Sequence, residues 1–131
     1  MSFGQRQYDR QKPEIDFPEG PVPEELKIVD IIEGDGRQVE PGDTVSAHYV
    51  GVAWSTGEEF DASWNRGAPL DFRVGVGQVI QGWDQGLLGM KLGGRRRLEI
   101  PSELAYGSRG AGSAIGPNEA LIFVVDLVGV R

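Results

Sequence analysis

The sequence predicts an α+β domain in which an antiparallel β-sheet of five or six strands packs with one short α-helix. Three observations carry this. Short runs rich in β-branched and aromatic residues alternate with turns built from Gly, Pro and Asp. Residues 79–88 instead repeat their apolar side chains at helical spacing. Residues 120–130, ALIFVVDLVGV, are nearly continuous in apolar character, the pattern of a central strand covered on both faces.

Residues 1–25 hold four of the eight prolines: Pro13, Pro18, Pro21 and Pro23. Each removes a backbone donor and biases its predecessor to extended geometry, so no helix forms there. The stretch reads as a polar, proline-containing extension, a mobile tail whose Ile15, Phe17 and Val22 offer the alternative of docking on the domain. The domain proper spans 26–131. Leu26, Ile28, Ile31 and Ile32 form a first strand, closed by the turn Gly34-Asp35-Gly36. A second turn, Pro41-Gly42-Asp43, precedes residues 44–53, TVSAHYVGVA, whose imperfect alternation places a bulge near Gly51. Ser55-Thr56-Gly57 reverses the chain into a strand at 58–61. After the loop 65–69, Leu70, Phe72 and Val74 alternate as in a half-buried strand.

Val79, Ile80, Trp83, Leu87 and Leu88 then follow helical spacing. Gly82 and Gly86 lie four apart on one helix face, where a neighbouring backbone can approach closely. Both weaken the helix intrinsically, so packing on the sheet must compensate. Gly93-Gly94 ends this unit. Residues 95–100 return as a strand, 101–117 form a glycine-rich loop, and 120–130 complete the sheet.

Composition narrows the function. The 131 residues carry 13 basic and 20 acidic side chains, a formal charge of −7, which speaks against binding nucleic acid. With no Cys and a single His, disulfides, thiolate catalysis, Cys-based zinc sites and His-rich metal centres are excluded. No apolar run approaches the ~20 residues of a membrane span, and the first twenty residues hold no apolar export-signal core. A cytoplasmic location is expected, with no membrane partner. No dinucleotide, phosphate-loop, zinc-protease or EF-hand motif is present. His48 leaves a Ser/His/Asp hydrolase formally open, but no G-x-S-x-G elbow surrounds any Ser, and His48 reads as a structural residue inside a strand. Arg95-Arg96-Arg97 alternate across a strand and read as a solvated, partly paired stripe.

What remains is aromatic. Tyr49, Phe60, Phe72, Trp83, Tyr106 and Phe123 fall on different elements or at their ends, and together make either a core or an apolar pocket. The hydroxyls of Tyr49 and Tyr106 need partners if buried, which suits a cleft wall.

The segments His48-Tyr49-Val50-Gly51, Phe60-Asp61, Gln78-Val79-Ile80-x-Gly82-Trp83 and Ala105-Tyr106-Gly107 resemble, in order and spacing, the FKBP-type peptidyl-prolyl cis/trans isomerases. The resemblance runs from about Leu26 to Arg131. It implies a twisted antiparallel sheet wrapped around one short helix, with a ligand pocket between them. By position it implies seven catalytic residues. Trp83 is the pocket floor, and Tyr49, Phe60, Ile80 and Phe123 are walls. Tyr106 is a hydroxyl donor to a substrate carbonyl, and Asp61 a carboxylate held by Tyr49 and Arg66. The Ile80 N–H would meet a second carbonyl. Arg66, Leu70, Phe72, Gln78, Val79 and Ile115 are implied to contact substrate. No metal or cofactor is implied. The expected partners are proline-containing peptides, folding proteins and macrolides of the tacrolimus and rapamycin type, bound by a monomer. Leu70 replaces a wall aromatic common in the family, and Gln78 replaces an acidic residue. The flap at 108–116, SRGAGSAIG, is small, with Ala111 and Ala114 where larger side chains are common. These departures bear on affinity and preference rather than on the reaction. The alternative is a proline-binding scaffold or chaperone module that uses the same pocket without catalysis.

Overall fold

The computed structural model describes residues 10–131. Six strands form one antiparallel sheet: β1 (Lys27–Ile32), β2 (Thr44–Ala53), β3 (Glu59–Ala62), β4 (Leu70–Arg73), β5 (Arg95–Ile100) and β6 (Leu121–Val130). The order is β1-β5-β6-β2-β3, and β4 pairs β2 beside β3. β6 pairs with both β5 and β2, which makes the most apolar strand the central one. Where β2 meets β3 the register shifts between Gly51 and Val52, at the bulge expected there.

Strand alternation sorts the side chains. Val45, Ala47 and Tyr49 of β2, Leu98 and Ile100 of β5, and Leu121, Phe123, Val125 and Leu127 of β6 share the inner face and the main core. The helix α1 (Gln81–Gly86) lies on this face. A Cβ on Gly82 would come within 2.5 Å of Ile100 Cγ2, and one on Gly86 within 2.8 Å of Leu98 Cδ2. The two glycines therefore let the helix backbone rest on β5. The helix is shorter than its apolar spacing predicts. Ile80 keeps an extended conformation (φ −57°, ψ 151°) and forms its N-terminal boundary. The loop 101–117 contains a 3₁₀ turn at Ser102–Leu104 and a two-way backbone pairing between Ala111 and Ile115.

One basic residue departs from the solvated stripe read from the sequence. Arg96 is only 7 % exposed. It forks onto Asp30 at 2.7 and 3.2 Å and donates to the carbonyls of Gly86 and Leu88 at the helix end. Its charge is held inside because its donors find acceptors there. Arg95 pairs with the buried Asp126 at 2.9 Å and Arg97 with Glu99 at 3.1 Å.

Residues 10–25 run without regular structure, and the portion around 10–18 crosses the outer face of the sheet. Arg95 donates to the Gln11 carbonyl at 2.9 Å. Ile15 packs on the outer apolar cluster of Val52, Trp54, Ala120 and Ile122. The Phe17 ring lies over Gly57, while Phe17 and Val22 stay exposed. The docked alternative thus describes this stretch through Ile15, and the mobile-tail expectation for residues 1–9 lies outside the described residues.

Candidate active site

A cavity of about 180 Å³ opens between α1 and the inner face of the sheet. Trp83 meets Tyr49 and Phe123 edge-on, each at 5.1 Å between ring centres. Phe60 stands perpendicular to Phe123 at 5.5 Å. These edge-to-face contacts place the positive rim of one ring on the negative face of the next. Gly51 makes the last pair possible: a Cβ there would sit 2.6 Å from both Phe60 and Phe123. Ten of the thirteen site residues expected from the sequence line the cavity: Tyr49, Phe60, Asp61, Leu70, Gln78, Val79, Ile80, Trp83, Tyr106 and Phe123.

The other three stand behind the lining. Phe72 is buried 5.4 Å from the Trp83 ring and backs it. Ile115 is buried in the core while its backbone ties the flap to Ala111. Arg66 braces Asp61 from outside the cavity.

The polar rim is a closed triangle. Tyr49 donates its hydroxyl to Asp61 Oδ2 at 2.5 Å, and Arg66 donates to Asp61 Oδ1 at 2.7 Å and to Tyr49 Oη at 2.8 Å. Burial alone would raise the Asp61 carboxyl. The hydrogen bonds from Tyr49 and Arg66, the Arg66 charge and the Ala62 N–H outweigh it and hold the group below its ordinary value. Burial, with the bond to Asp61, raises the Tyr49 hydroxyl. Burial and the nearby Asp61 charge likewise raise Tyr106. Both phenols therefore stay protonated donors at neutral pH. Tyr106 is 40 % exposed at the mouth. Ile80, as the residue before α1, has its carbonyl occupied by the N–H groups of Trp83 and Asp84, while its own N–H takes no backbone partner among the described residues.

Two supporting residues, Ser63 and Asp84, carry no motif in the sequence. Ser63 is fully buried. Its Oγ accepts the Tyr49 N–H at 2.7 Å and meets His48 Nδ1 at 2.8 Å. Asp84 accepts the N–H groups of Gly75 and Gly77 at 2.8 and 2.9 Å, which ties the loop before Gln78 to the helix. Gln78 in turn accepts the Arg73 N–H at 2.8 Å. The helical periodicity around Trp83 places Asp84 one position beyond the apolar face, which is the only signal for it. His48 lies on the opposite side of β2 from Tyr49 and stacks on Trp64 at 4.3 Å, so it does not reach the cavity.

The sequence profile of the FKBP-type peptidyl-prolyl cis-trans isomerases matches residues 35–128. The chain is 67% identical over 121 residues to an FK506-binding protein of Streptomyces anulatus, covering 92% of this chain and 98% of the relative. It is 52% identical over 91 residues to the peptidyl-prolyl cis-trans isomerase FPR2 of Saccharomyces cerevisiae, covering 70% of this chain and 67% of that protein. The crystal structure of AtFKBP13 superposes with a TM-score of 0.75 at 44% identity, over 81% of this chain and 93% of that one. A six-stranded antiparallel sheet with one short α-helix among the described residues, a match across the domain and a relative named for this activity lead to one assignment: the chain belongs to the FKBP-type peptidyl-prolyl cis-trans isomerases.

Proposed function

We propose that the aromatic cavity is where this isomerase turns Xaa-Pro bonds, without a covalent step, and that tacrolimus- and rapamycin-type macrolides compete for the same space. The observation that carries this reading is the cavity itself, about 180 Å³. It is on the scale of the ~150 Å³ apolar cavity that takes up a benzene ring, and so suits one proline ring or a pipecolyl ring that mimics it. In this reading the ring rests on Trp83 between Tyr49, Phe60 and Phe123, with Val79 and Ile80 beside it. The Ile80 N–H and the Tyr106 hydroxyl hold carbonyls that flank the turning bond. Leu70 and Gln78 meet the neighbouring residues of the substrate at the mouth.

The chemistry asks for no nucleophile. Rotation is slowed by loss of amide resonance, a barrier of ~18–20 kcal/mol. The planar amide carries charge separated onto oxygen and nitrogen, and the twisted amide carries less. An apolar site therefore disfavours the planar form relative to the twisted one, compared with water. That is selective binding of the transition state, and each ~1.36 kcal/mol of it gives tenfold in rate. Asp61 orients Tyr49 and Arg66 and transfers no proton. The same reading has the protein acting as a monomer in the cytoplasm on proline-containing peptides and folding proteins. The net charge of −7 supports clients other than nucleic acid.

The test is exchange of a Leu-Pro or Phe-Pro peptide followed by NMR or by a protease-coupled assay, with tacrolimus as competitor. Acceleration that persists in chelator, favours Leu or Phe over Asp or Glu before proline, and falls competitively with the drug supports the reading. No acceleration on any apolar-Pro peptide, or simultaneous binding of drug and peptide, overturns it.

A further inference from the structure

The N-terminal stretch crosses the sheet on the face away from the cavity, yet one of its side chains reaches the strand that carries Asp61. Lys12 Nζ lies 2.8 Å from Glu59 Oε1 and donates to Asn65 Oδ1 at 3.0 Å. Asn65 Nδ2 donates to Glu59 Oε2 at 3.1 Å. The three side chains thus form a closed network. Glu59 opens β3, and Asn65 lies in the 3₁₀ turn Ser63–Arg66 that follows it. Phe60 and Asp61 fall between these two anchor points, and Arg66 is the next residue after Asn65.

β3 has reason to need such a brace. It is four residues long, it stands at the end of the sheet order, and β2 is its only strand partner among the described residues. Its pairing with β2 is interrupted by the shift at Gly51/Val52. Lys12, for its part, differs from a lysine on a free tail. The carbonyl just before it is bound by Arg95, and Ile15 is packed three residues later. Anchoring on both sides lowers the ordering cost that makes most exposed ion pairs weak.

We propose that Lys12 is a positioning residue for the active site: through Glu59 and Asn65 it fixes β3 and the following turn, and thereby holds Asp61 and Arg66 at the cavity rim. The proposal rests on the reading of Asp61 given above.

It is tested in the full chain with Lys12→Ala, Asn65→Ala and Lys12→Arg, each measured by Leu-Pro exchange and by the NMR titration of the Asp61 carboxyl. Lys12→Ala and Asn65→Ala should each lower kcat/KM by about two- to fivefold, the span that exposed ion pairs reach. Each should also move the Asp61 titration upward as the bonds that hold it down loosen. The double variant should lose little more than either single one, and Lys12→Arg should restore both readouts. Asn65→Ala changes no charge, so its effect separates positioning from direct electrostatics. An unmoved Asp61 titration in both alanine variants overturns the proposal, whatever their thermal stability. An Asp61 titration that moves while kcat/KM holds would leave the brace standing and sink the role given to Asp61 instead.

Discussion

Asp61 sits where three groups meet: the Tyr49 hydroxyl, the Arg66 guanidinium and the open mouth of the cavity. Removing its carboxylate in Asp61→Ala frees Tyr49 and Arg66 to turn away from the rim. Activity should fall by about tenfold, ~1.4 kcal/mol of transition-state stabilisation. Stability should fall by less than ~1 kcal/mol, because the Asp61–Arg66 pair is largely open to solvent. The paired readings of kcat/KM and of a denaturant midpoint check this, and a large loss of stability with unchanged activity would contradict it. The pH dependence follows from the sign of the shift. A carboxyl held below its ordinary value contributes stability that is fully present above the unfolded value, ~3.9, and is lost as pH falls through the lower folded value. The rate should therefore be flat from about pH 6 to 8. His48 does not disturb that plateau by contact, since it faces the other side of β2. Burial lowers its pKa against the opposing pull of Asp126, so its neutral form adds stability above the ordinary ~6.5 that is lost as pH falls toward the folded value. An inflection of the rate near that pH would bring His48 back as an acid–base group. At this scale the aromatic lining was legible, because Trp83, Tyr49 and Phe123 stand in recognisable local patterns. Ser63 and Asp84 were not: each acts by accepting backbone N–H groups, and a lone Ser or Asp in a sequence does not say which amide will face it.

The helix shows what periodicity conveys and where it stops. Apolar spacing over 79–88 located α1, and the two glycines four apart announced a close neighbour, which proved to be β5. The same spacing overran the N-terminal end, because Val79 and Ile80 are apolar for the sake of the cavity rather than of the helix. Arg96 was misread for a related reason. Alternation on a strand says which face a residue takes, but not that the inner face offers it Asp30 and two helix-end carbonyls. Gly82→Ala sets two effects against each other. Alanine gains about 1 kcal/mol in intrinsic helix propensity. Its methyl group would meet three atoms of the Ile100 side chain at 2.5 to 3.0 Å, and overpacking of this kind costs ~1–3 kcal/mol. The second effect is the larger over most of that range, so the variant should be less stable, by up to ~2 kcal/mol. It should also lose activity, because Trp83 is the next residue and moves with the helix. A denaturant titration and a Leu-Pro exchange assay check this; unchanged stability would mean that Ile100 can swing aside and that the helix does not depend on the missing side chain.

For the molecule as a whole, the sheet was legible because turns rich in Gly and Pro separate its strands and because the last strand is too apolar to lie anywhere but the centre. The path of the N-terminal stretch was not. Four prolines exclude a helix, but they are equally compatible with a loose tail and with an extended segment laid on a surface. What decides between the two is a partner, and the outer apolar cluster around Val52 and Ile122 is assembled only by folding. A chain beginning at Glu24 loses Ile15, the Arg95 contact to Gln11 and the Lys12 network together. Ile15 and its neighbours bury a few methylene equivalents at ~0.8 kcal/mol each, so the truncated chain should lose about 1–3 kcal/mol and melt several degrees lower. The aromatic cavity stays intact, since every residue that lines it lies between Tyr49 and Phe123. Catalysis should therefore persist, reduced by no more than the two- to fivefold expected for loss of the Lys12 brace. Calorimetry beside the exchange assay separates the cases. An unchanged midpoint would show that the contacts of residues 10–18 add nothing net, and complete loss of activity in a folded truncated chain would mean that the extension reaches the reacting bond itself.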